Sequence, residues 1–146
     1  MTLFGWLSSV SEPICLWLDR RQPLGRRGEN AAARYLRRRG YVIVARGQRG
    51  QVGELDLVAV QNRTVVFVEV KTRASQDAGH PADAVDRQKQ ERLTRVALAY
   101  LKRHDLLECS TRFDVIAISW PDLARAPQIE HFEGAFEATG FEGMFS

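Results

Sequence analysis

Residues 53–73 read GELDLVAVQNRTVVFVEVKTR, and apolar side chains recur at every second position on both sides of Asn62-Arg63. This period of two predicts two β-strands, and the Asn-Arg pair between them predicts a two-residue turn. In the register that such a turn imposes, Asp56 lies directly opposite Glu69. Directly opposed side chains share one face of a hairpin, about 5 Å apart at Cβ. The sequence therefore places two acids face to face.

Two opposed carboxylates repel each other, so a hairpin selected only for stability would tend to avoid the pair of Asp56 and Glu69. A bound cation reverses the sign of that interaction. Mg²⁺ suits an open pair of acids because it binds carboxylate oxygens and keeps several waters. Lys71, on the same face, is placed to orient or deprotonate a metal-bound water or to neutralise charge on a phosphate. The alternative is a solvated hairpin face on which Lys71 pairs with Glu54 and Asp56.

The acids and the lysine also match a known pattern. Gly53-Glu-Leu-Asp followed by Val68-Glu-Val-Lys resembles the D…ExK core of the PD-(D/E)xK nuclease superfamily, with Asp56, Glu69 and Lys71 in the motif positions. Further blocks within residues 24–120 resemble the bacterial YraN-like family, namely Gly28-Glu-Asn-Ala-Ala-Ala, Gly40-Tyr, Phe67-Val-Glu-Val-Lys-Thr-Arg, Lys89 and Arg112-Phe-Asp-Val. The resemblance implies a restriction-endonuclease-like fold related to archaeal Holliday-junction resolvases. It also implies Mg²⁺ or Mn²⁺ at Asp56 and Glu69, and DNA as the substrate.

Glu29 is an isolated acid in a basic part of the chain. Residues 25–39 predict a helix that begins after Pro23 and ends at Gly40, and Glu29 falls on the edge of its apolar face. The acid either occupies the first turn, where the helix dipole favours it, or reaches the sheet near Asp56. Resolvase-like relatives carry a first-helix glutamate beside the metal. The resemblance therefore implies that Glu29 supports the metal or its water.

Positive charge is concentrated in one part of the chain. Residues 20–49 contain ten arginines and one acid, whereas residues 121–146 contain five acids and one arginine, although the net charge is only +3. This asymmetry predicts a polyanion partner on one side, and the alternative is a helix with a solvated basic face. Nucleic-acid contacts are predicted for Arg37, Arg38, Arg46, Arg49, Arg73 and Lys89. Lys89 lies on the axis of an apolar stripe, where it either snorkels to solvent or reaches the active face.

The chain of 146 residues has the length of one domain, and its 45% hydrophobic and 27% charged residues are typical of a soluble globular protein. We expect an apolar arm at 1–22, a nuclease-like domain at 23–134 and a tail at 135–146. The arm is too short for a membrane span and lacks signal-peptide features. We expect one of three arrangements: the arm packs on the domain, it is mobile, or it contacts a second copy of the chain. Two cysteines without metal-like spacing leave a reducing cytoplasm as the expected location.

The order of predicted elements defines an α/β fold. A helix, a strand at 41–45, the central hairpin, a helix at 84–104 and a strand at 112–119 give the core order αβββαβ, and an edge strand follows at 128–133. The result is a mixed sheet flanked by helices, in which the second helix allows a parallel crossover. Residues 46–50 are predicted as a flexible loop.

We expect a metal-dependent endonuclease that hydrolyses phosphodiester bonds in DNA, branched or otherwise structured DNA included. Resolvase-like action needs two sites and hence a homodimer. The alternatives are a non-catalytic nucleic-acid-binding module of the same fold and a protein-interaction domain that uses the apolar arm.

Overall fold

The structure, a computed structural model, describes residues 23–51, 53–73, 85–121 and 126–139. The elements are α1 (Leu24–Arg38), β1 (Val42–Arg49), β2 (Glu54–Gln61), β3 (Thr64–Arg73), α2 (Arg87–Arg103), β4 (Ser110–Ser119) and β5 (Gln128–Phe136). The expectations for the arm at 1–22 and for the end of the tail lie outside the described residues. Within the described part, no helix is long and apolar enough to cross a membrane.

The five strands form one sheet in their order along the chain. β3 and β4 are parallel and α2 connects them, whereas the other neighbouring pairs are antiparallel. The predicted order αβββαβ with a late edge strand is confirmed, and this mixed sheet between two helices is a restriction-endonuclease-like fold. β5 continues to Phe136, two residues beyond the expected end of the domain at 134.

The central hairpin has the predicted turn. Asn62 and Arg63 both have positive φ, 46° and 68°, as a two-residue hairpin turn that follows the twist of the strands requires. The ladder begins with Gln61 beside Thr64 and runs to Leu57 beside Val68. One further step in this register brings Asp56 to Glu69.

Each helix covers one face of the sheet, so the molecule has two apolar cores. Under α1 the buried residues include Ala32, Leu36, Leu57, Val66, Val68, Ile116 and Ile118. Under α2 they include Val58, Phe67, Leu93, Val96, Leu101, Phe113 and Val115. The apolar stripe that the sequence predicts around Lys89 lies on α2, and its residues Leu93, Val96 and Leu101 are buried.

The start of β2 departs from the predicted alternation. Leu55 packs in the α2 core and Leu57 in the α1 core, although residues two apart in a regular strand share one face. The neighbouring segment of β1 contains Gly47, whose φ of 56° is not a strand conformation. At the start of β2, Leu55 therefore faces α2 instead of α1.

β1 also corrects a prediction. Residues 46–49 belong to this strand and pair with β2 from Arg46 beside Leu57 to Arg49 beside Glu54, where a flexible loop was expected. The glycines suggested a loop, but β2 offers these residues a partner for their backbone hydrogen bonds. Arg46 and Arg49 are therefore held on an edge strand of the sheet.

α1 approaches β3 closely at Gly28. A Cβ at this position would lie 2.1 Å from Thr72 Oγ1 and 3.2 Å from Thr72 Cβ and Cγ2, so rotation of the threonine would not clear the overlap. We expect Gly28→Ala to destabilise the protein by roughly 1–3 kcal/mol, the usual range for overpacking. The measurement is the urea midpoint at unchanged m-value.

Gly25→Ala is the matched control for Gly28→Ala. It lies on the same helix, and a Cβ there would meet nothing within 4 Å. Since alanine favours helix over glycine by up to about 1 kcal/mol, we expect the control to stabilise the protein slightly. A Gly28→Ala variant that is as stable as Gly25→Ala would show that α1 moves away from β3 without loss.

Candidate active site

Asp56 and Glu69 line one cavity of about 290 Å³ at the α2 face of the sheet. Asp56 Oδ2 accepts a hydrogen bond from the backbone N–H of Val70, with an N–O distance of 2.8 Å, which fixes the carboxylate against β3. Glu69 is a buried acid with 7% of its surface exposed. The hairpin therefore holds both acids where the sequence places them, but largely out of solvent.

Two lysines contact the buried acid. Lys71 Nζ lies 3.4 Å from Glu69 Oε1, and the Lys89 ammonium donates a hydrogen bond to the same oxygen. Asp86 caps the first turn of α2 because its Oδ1 accepts a hydrogen bond from the Lys89 backbone N–H at 2.8 Å. Of the two options for Lys89, its head reaches the acidic face.

The alternative to a functional pair of acids was a solvated hairpin face on which Lys71 pairs with Glu54 and Asp56. The described residues form other ion pairs. Glu54 pairs with Arg49, at 3.7 Å between Oε2 and Nε, and Lys71 pairs with Glu69. The acids face a cavity that α2 partly covers, with Arg92 and Leu93 in its wall. Burial rather than exchange with solvent governs their chemistry.

Burial and like charge set the protonation of the site. Burial, followed by the negative charge of Glu69, raises the pKa of Asp56 to about 7, and Glu29 adds to this shift. Burial, followed by the adjacent Lys89, lowers the pKa of Lys71. Burial opposes the charge of Lys89, but the hydrogen bond to Glu69 outweighs it and raises the pKa of Lys89. The site thus combines an acid that titrates near neutrality with one lysine whose pKa is lowered and one whose pKa is raised.

Glu29 lies on α1, half-buried, and it affects the acid pair through its charge on Asp56. This places the first-helix glutamate near enough to join the site electrostatically. Among the described residues, no group of three or more histidine, cysteine, aspartate or glutamate side chains is arranged to hold a metal ion. A hard cation would still find suitable donors, because Asp56 and Glu69 supply carboxylate oxygens and water can complete the shell.

The predicted nucleic-acid contacts do not all lie together. Lys89 lines the cavity, whereas Arg37 and Arg38 occupy the last turn of α1, about 12 Å or more along the helix axis from Glu29. Arg46 donates a hydrogen bond to Asn30 Oδ1 on α1, and Arg73 ends β3.

Arg92 is a cavity residue that the sequence reasoning missed. It follows Lys89 by three residues, which is one helical turn, so it shares the same face of α2. That spacing could have identified it from the sequence.

A second cluster of charges lies on the opposite, α1 face and is structural. Asp114 is fully buried and accepts hydrogen bonds from Arg112, from His131 Nε2 at 2.7 Å and from the Gly134 backbone N–H at 3.0 Å. Burial opposes ionisation, but the hydrogen bonds from His131 and Arg112 outweigh it and lower the pKa of Asp114. Asp114 is therefore a hydrogen-bonding acid within the core.

The cavity lined by Asp56, Glu69 and Lys89 is called the acid-lysine cavity. Together with the sheet and its two helices, it defines a protein of restriction-endonuclease-like fold. Residues 28–118 match the family described as Uncharacterised protein family UPF0102. The UPF0102 protein RB9115 of Rhodopirellula baltica is 44% identical over 97% of this chain and 91% of its own. The UPF0102 protein GSU0650 of Geobacter sulfurreducens is 49% identical over 78% of this chain and 88% of its own. The chain belongs to UPF0102, the YraN family, so the predicted family is confirmed.

The raised pKa of Asp56 predicts how stability depends on pH. Its folded-state pKa of about 7 exceeds the ordinary 3.8, so its contribution to stability is complete below 3.8 and is lost as the pH rises through 7. We expect the melting temperature to fall by roughly 5 °C between pH 5 and pH 8.5, corresponding to about 2 kcal/mol for a chain of this size. Asp56→Asn should lack this component. Equal pH dependence of both proteins would assign the decline to other groups.

Proposed function

We propose that this protein is a metal-dependent endonuclease that hydrolyses phosphodiester bonds in DNA. The supporting observation is the arrangement of Asp56 and Glu69, which line one cavity together with Lys89 although the two acids repel each other. Lys71 pairs with Glu69 beside this cavity. Stability alone gives no reason to bury such a pair. The D…ExK pattern of Asp56, Glu69 and Lys71 supports the same function, and a cytoplasmic location and a homodimer belong to this proposal.

Each residue of the site has a distinct role in the proposed reaction. Asp56 and Glu69, with Glu29 nearby, would hold Mg²⁺ or Mn²⁺, which supplies Lewis-acid activation of water and of the phosphate. Lys71 orients the attacking water for in-line displacement. Its lowered pKa makes the neutral amine, the form that can take up a proton from that water, more accessible than in an ordinary lysine. Lys89 stays charged and, once released from Glu69, neutralises charge that develops on the phosphate.

A specific contact favours a second candidate function, a nucleic-acid-binding module without catalysis. The Lys89 ammonium already neutralises Glu69, so the acid pair is partly satisfied by the protein's own cation. In that case the arginines would bind the phosphate backbone without reading sequence, and the acids would serve only to hold α2 against the hairpin.

The test is a titration of Mg²⁺ and of Mn²⁺ into the protein with labelled linear, flapped and four-way DNA, beside Glu69→Gln. We expect cleavage that requires the metal and disappears in the variant, because the amide keeps the shape of Glu69 and loses its charge. The substrate that is cut fastest identifies the preferred DNA structure. Binding that weakens with salt, without cleavage by either protein under any metal, would support the second candidate instead.

A further inference from the structure

A second cavity, of about 510 Å³, lies beside the candidate active site between the β1–β2 connection and α2. Its polar wall consists of two arginines and two glutamines, and Tyr100 and aliphatic side chains form the remainder. The lining includes Gln48, Arg49, Gln51, Leu55, Tyr100 and Arg103. Neither the proposed reaction nor the family assignment uses this cavity.

The two cavities are adjacent. Val96 lines both cavities. Two consecutive residues of β2 also connect them, because Glu54 lines the candidate active site and Leu55 lines the second cavity. Gly50 and Gly53 lie directly on Val96, since a Cβ at either position would come within 3.3 or 3.4 Å of its methyl groups. The Gly50 N–H donates a hydrogen bond to Gly53 O at 2.7 Å, which makes this connection tight. The backbone of both glycines therefore lies against Val96, the residue that lines both cavities.

One face of α2 spans both cavities. Val96 follows Lys89 by about 11 Å along the helix axis, and Tyr100 follows Val96 by about 6 Å. Arg103 is three residues further on and lines the second cavity with Tyr100. A nucleic-acid strand that passes along this face therefore meets the Lys89 ammonium at one end and the Arg103 guanidinium at the other, with the Tyr100 ring between them.

The lining of the second cavity fits one ligand class. Tyr100 contacts Phe67 edge-to-face and lies 4.3 Å from the His104 ring between centroids, and the part of its ring that lines the cavity offers an aromatic surface for a base. Glutamine amides match the donors and acceptors on base edges. Arg49 and Arg103 provide guanidinium groups for phosphate. The ion pair of Arg49 with Glu54 is exposed and weak, so a phosphate can replace it. An apolar ligand would leave these polar groups without use.

We propose that this cavity receives one unpaired nucleotide of the DNA strand whose phosphodiester bond lies at Asp56 and Glu69. The proposal rests on the proposed function and adds a substrate class to it, DNA that contains unpaired nucleotides next to the cut. A base within a duplex is paired and stacked on both sides, so it must lose its pairing and stacking before it can enter a cavity or stack on Tyr100. An unpaired base presents both a face and an edge.

The test compares Arg103→Glu with Lys102→Glu. Both residues are exposed in the last turn of α2 and both substitutions change the charge equally, but only Arg103 lines the cavity. Binding is measured by fluorescence anisotropy in EDTA, with one labelled duplex and with the same duplex carrying a short unpaired stretch. We expect the wild type to favour the unpaired DNA about tenfold, a typical gain for one stacked base. Arg103→Glu should lose that preference, whereas Lys102→Glu should weaken both DNAs alike and keep it.

Ala99→Trp provides an independent variant without a change of charge. Ala99 is exposed and lines the cavity, so the indole fills the space without disturbing the core. We expect this variant also to lose the preference for unpaired DNA. A wild type without the preference, equal effects of Arg103→Glu and Lys102→Glu on it, or an Ala99→Trp variant that retains it would overturn the proposal.

Cleavage by the same proteins with Mg²⁺ or Mn²⁺ separates the two proposals. Metal-dependent cleavage without preference for unpaired DNA would reject the nucleotide cavity and leave the nuclease intact. Preference that depends on Arg103, without cleavage under either metal, would support the cavity and reject the nuclease.

Discussion

Asp56→Asn should reduce metal-dependent DNA cleavage by about a thousandfold or more, as expected for loss of a central catalytic group. The affinity for DNA should stay equal or rise slightly, because the variant removes a negative charge that faces the phosphates. Asparagine can still accept the hydrogen bond from the Val70 N–H, so the local structure is kept. Single-turnover cleavage rates and anisotropy binding curves measure the two effects separately. Retained cleavage would remove Asp56 from the site.

Glu54→Gln is the matched control for this variant. Glu54 lines the same cavity, but its side chain is 45% exposed and pairs with Arg49. We expect its cleavage rate to change by only a few fold, as for an exposed ion pair of little energetic weight. At pH 8.5 Asp56→Asn should also melt higher than the wild type, because it no longer buries a charge beside Glu69. A gain in stability with a loss of activity would identify Asp56 as a functional rather than a structural acid.

Asp114→Asn should have the largest effect on stability, a loss of about 3–5 kcal/mol, because it breaks a buried ion pair and leaves its partner uncompensated. Asp114 is fully buried, and Arg112 and His131 both donate hydrogen bonds to it. Because its folded-state pKa is lowered, this stability is present above the ordinary pKa and is lost as the pH falls through the folded value. Urea unfolding at pH 7 measures the loss, and unfolding at pH values below the ordinary 3.8 measures its pH dependence.

The control for Asp114→Asn is Glu133→Gln at the exposed rim of the same cluster. Glu133 Oε2 is 3.9 Å from Arg112, and its side chain is 57% exposed, so we expect a loss below about 1 kcal/mol. Equal losses in both variants would show that the network does not depend on its buried member. The folded fraction of Asp114→Asn should keep its DNA affinity, since this cluster lies on the α1 face, away from the acid-lysine cavity.

The sequence predicted those parts of the fold that depend on near neighbours. The turn at Asn62-Arg63 and the register that follows it were correct, because alternation and turn residues are local signals. Both long helices were found to within three residues at each end. The position of Lys71 beside Glu69 followed from the same register.

Features that depend on packing between distant elements could not be predicted. Whether the Lys89 head turned to solvent or to Glu69 depended on how deeply α2 sits on the sheet. His131 meets Asp114 only through the β4–β5 ladder, whose register shifts between Phe113 and Val115. The prediction of a loop was wrong for residues 46–49, because the glycines were interpreted without knowledge of the β2 partner.

The parallel pairing of β3 with β4 has a consequence for folding. The hairpin brings Asp56 and Glu69 together by closing a loop of two residues, which costs little chain entropy, whereas Lys89 arrives only when α2 and β4 complete their longer crossover. During refolding the carboxylates therefore meet when Lys71, on the same hairpin, is in place but Lys89 is not, and the repulsion that Lys71 leaves uncompensated raises the barrier. The chain should therefore refold faster at a pH at which these acids are protonated. The acid pair proposed for catalysis thus limits the rate at which the native state forms.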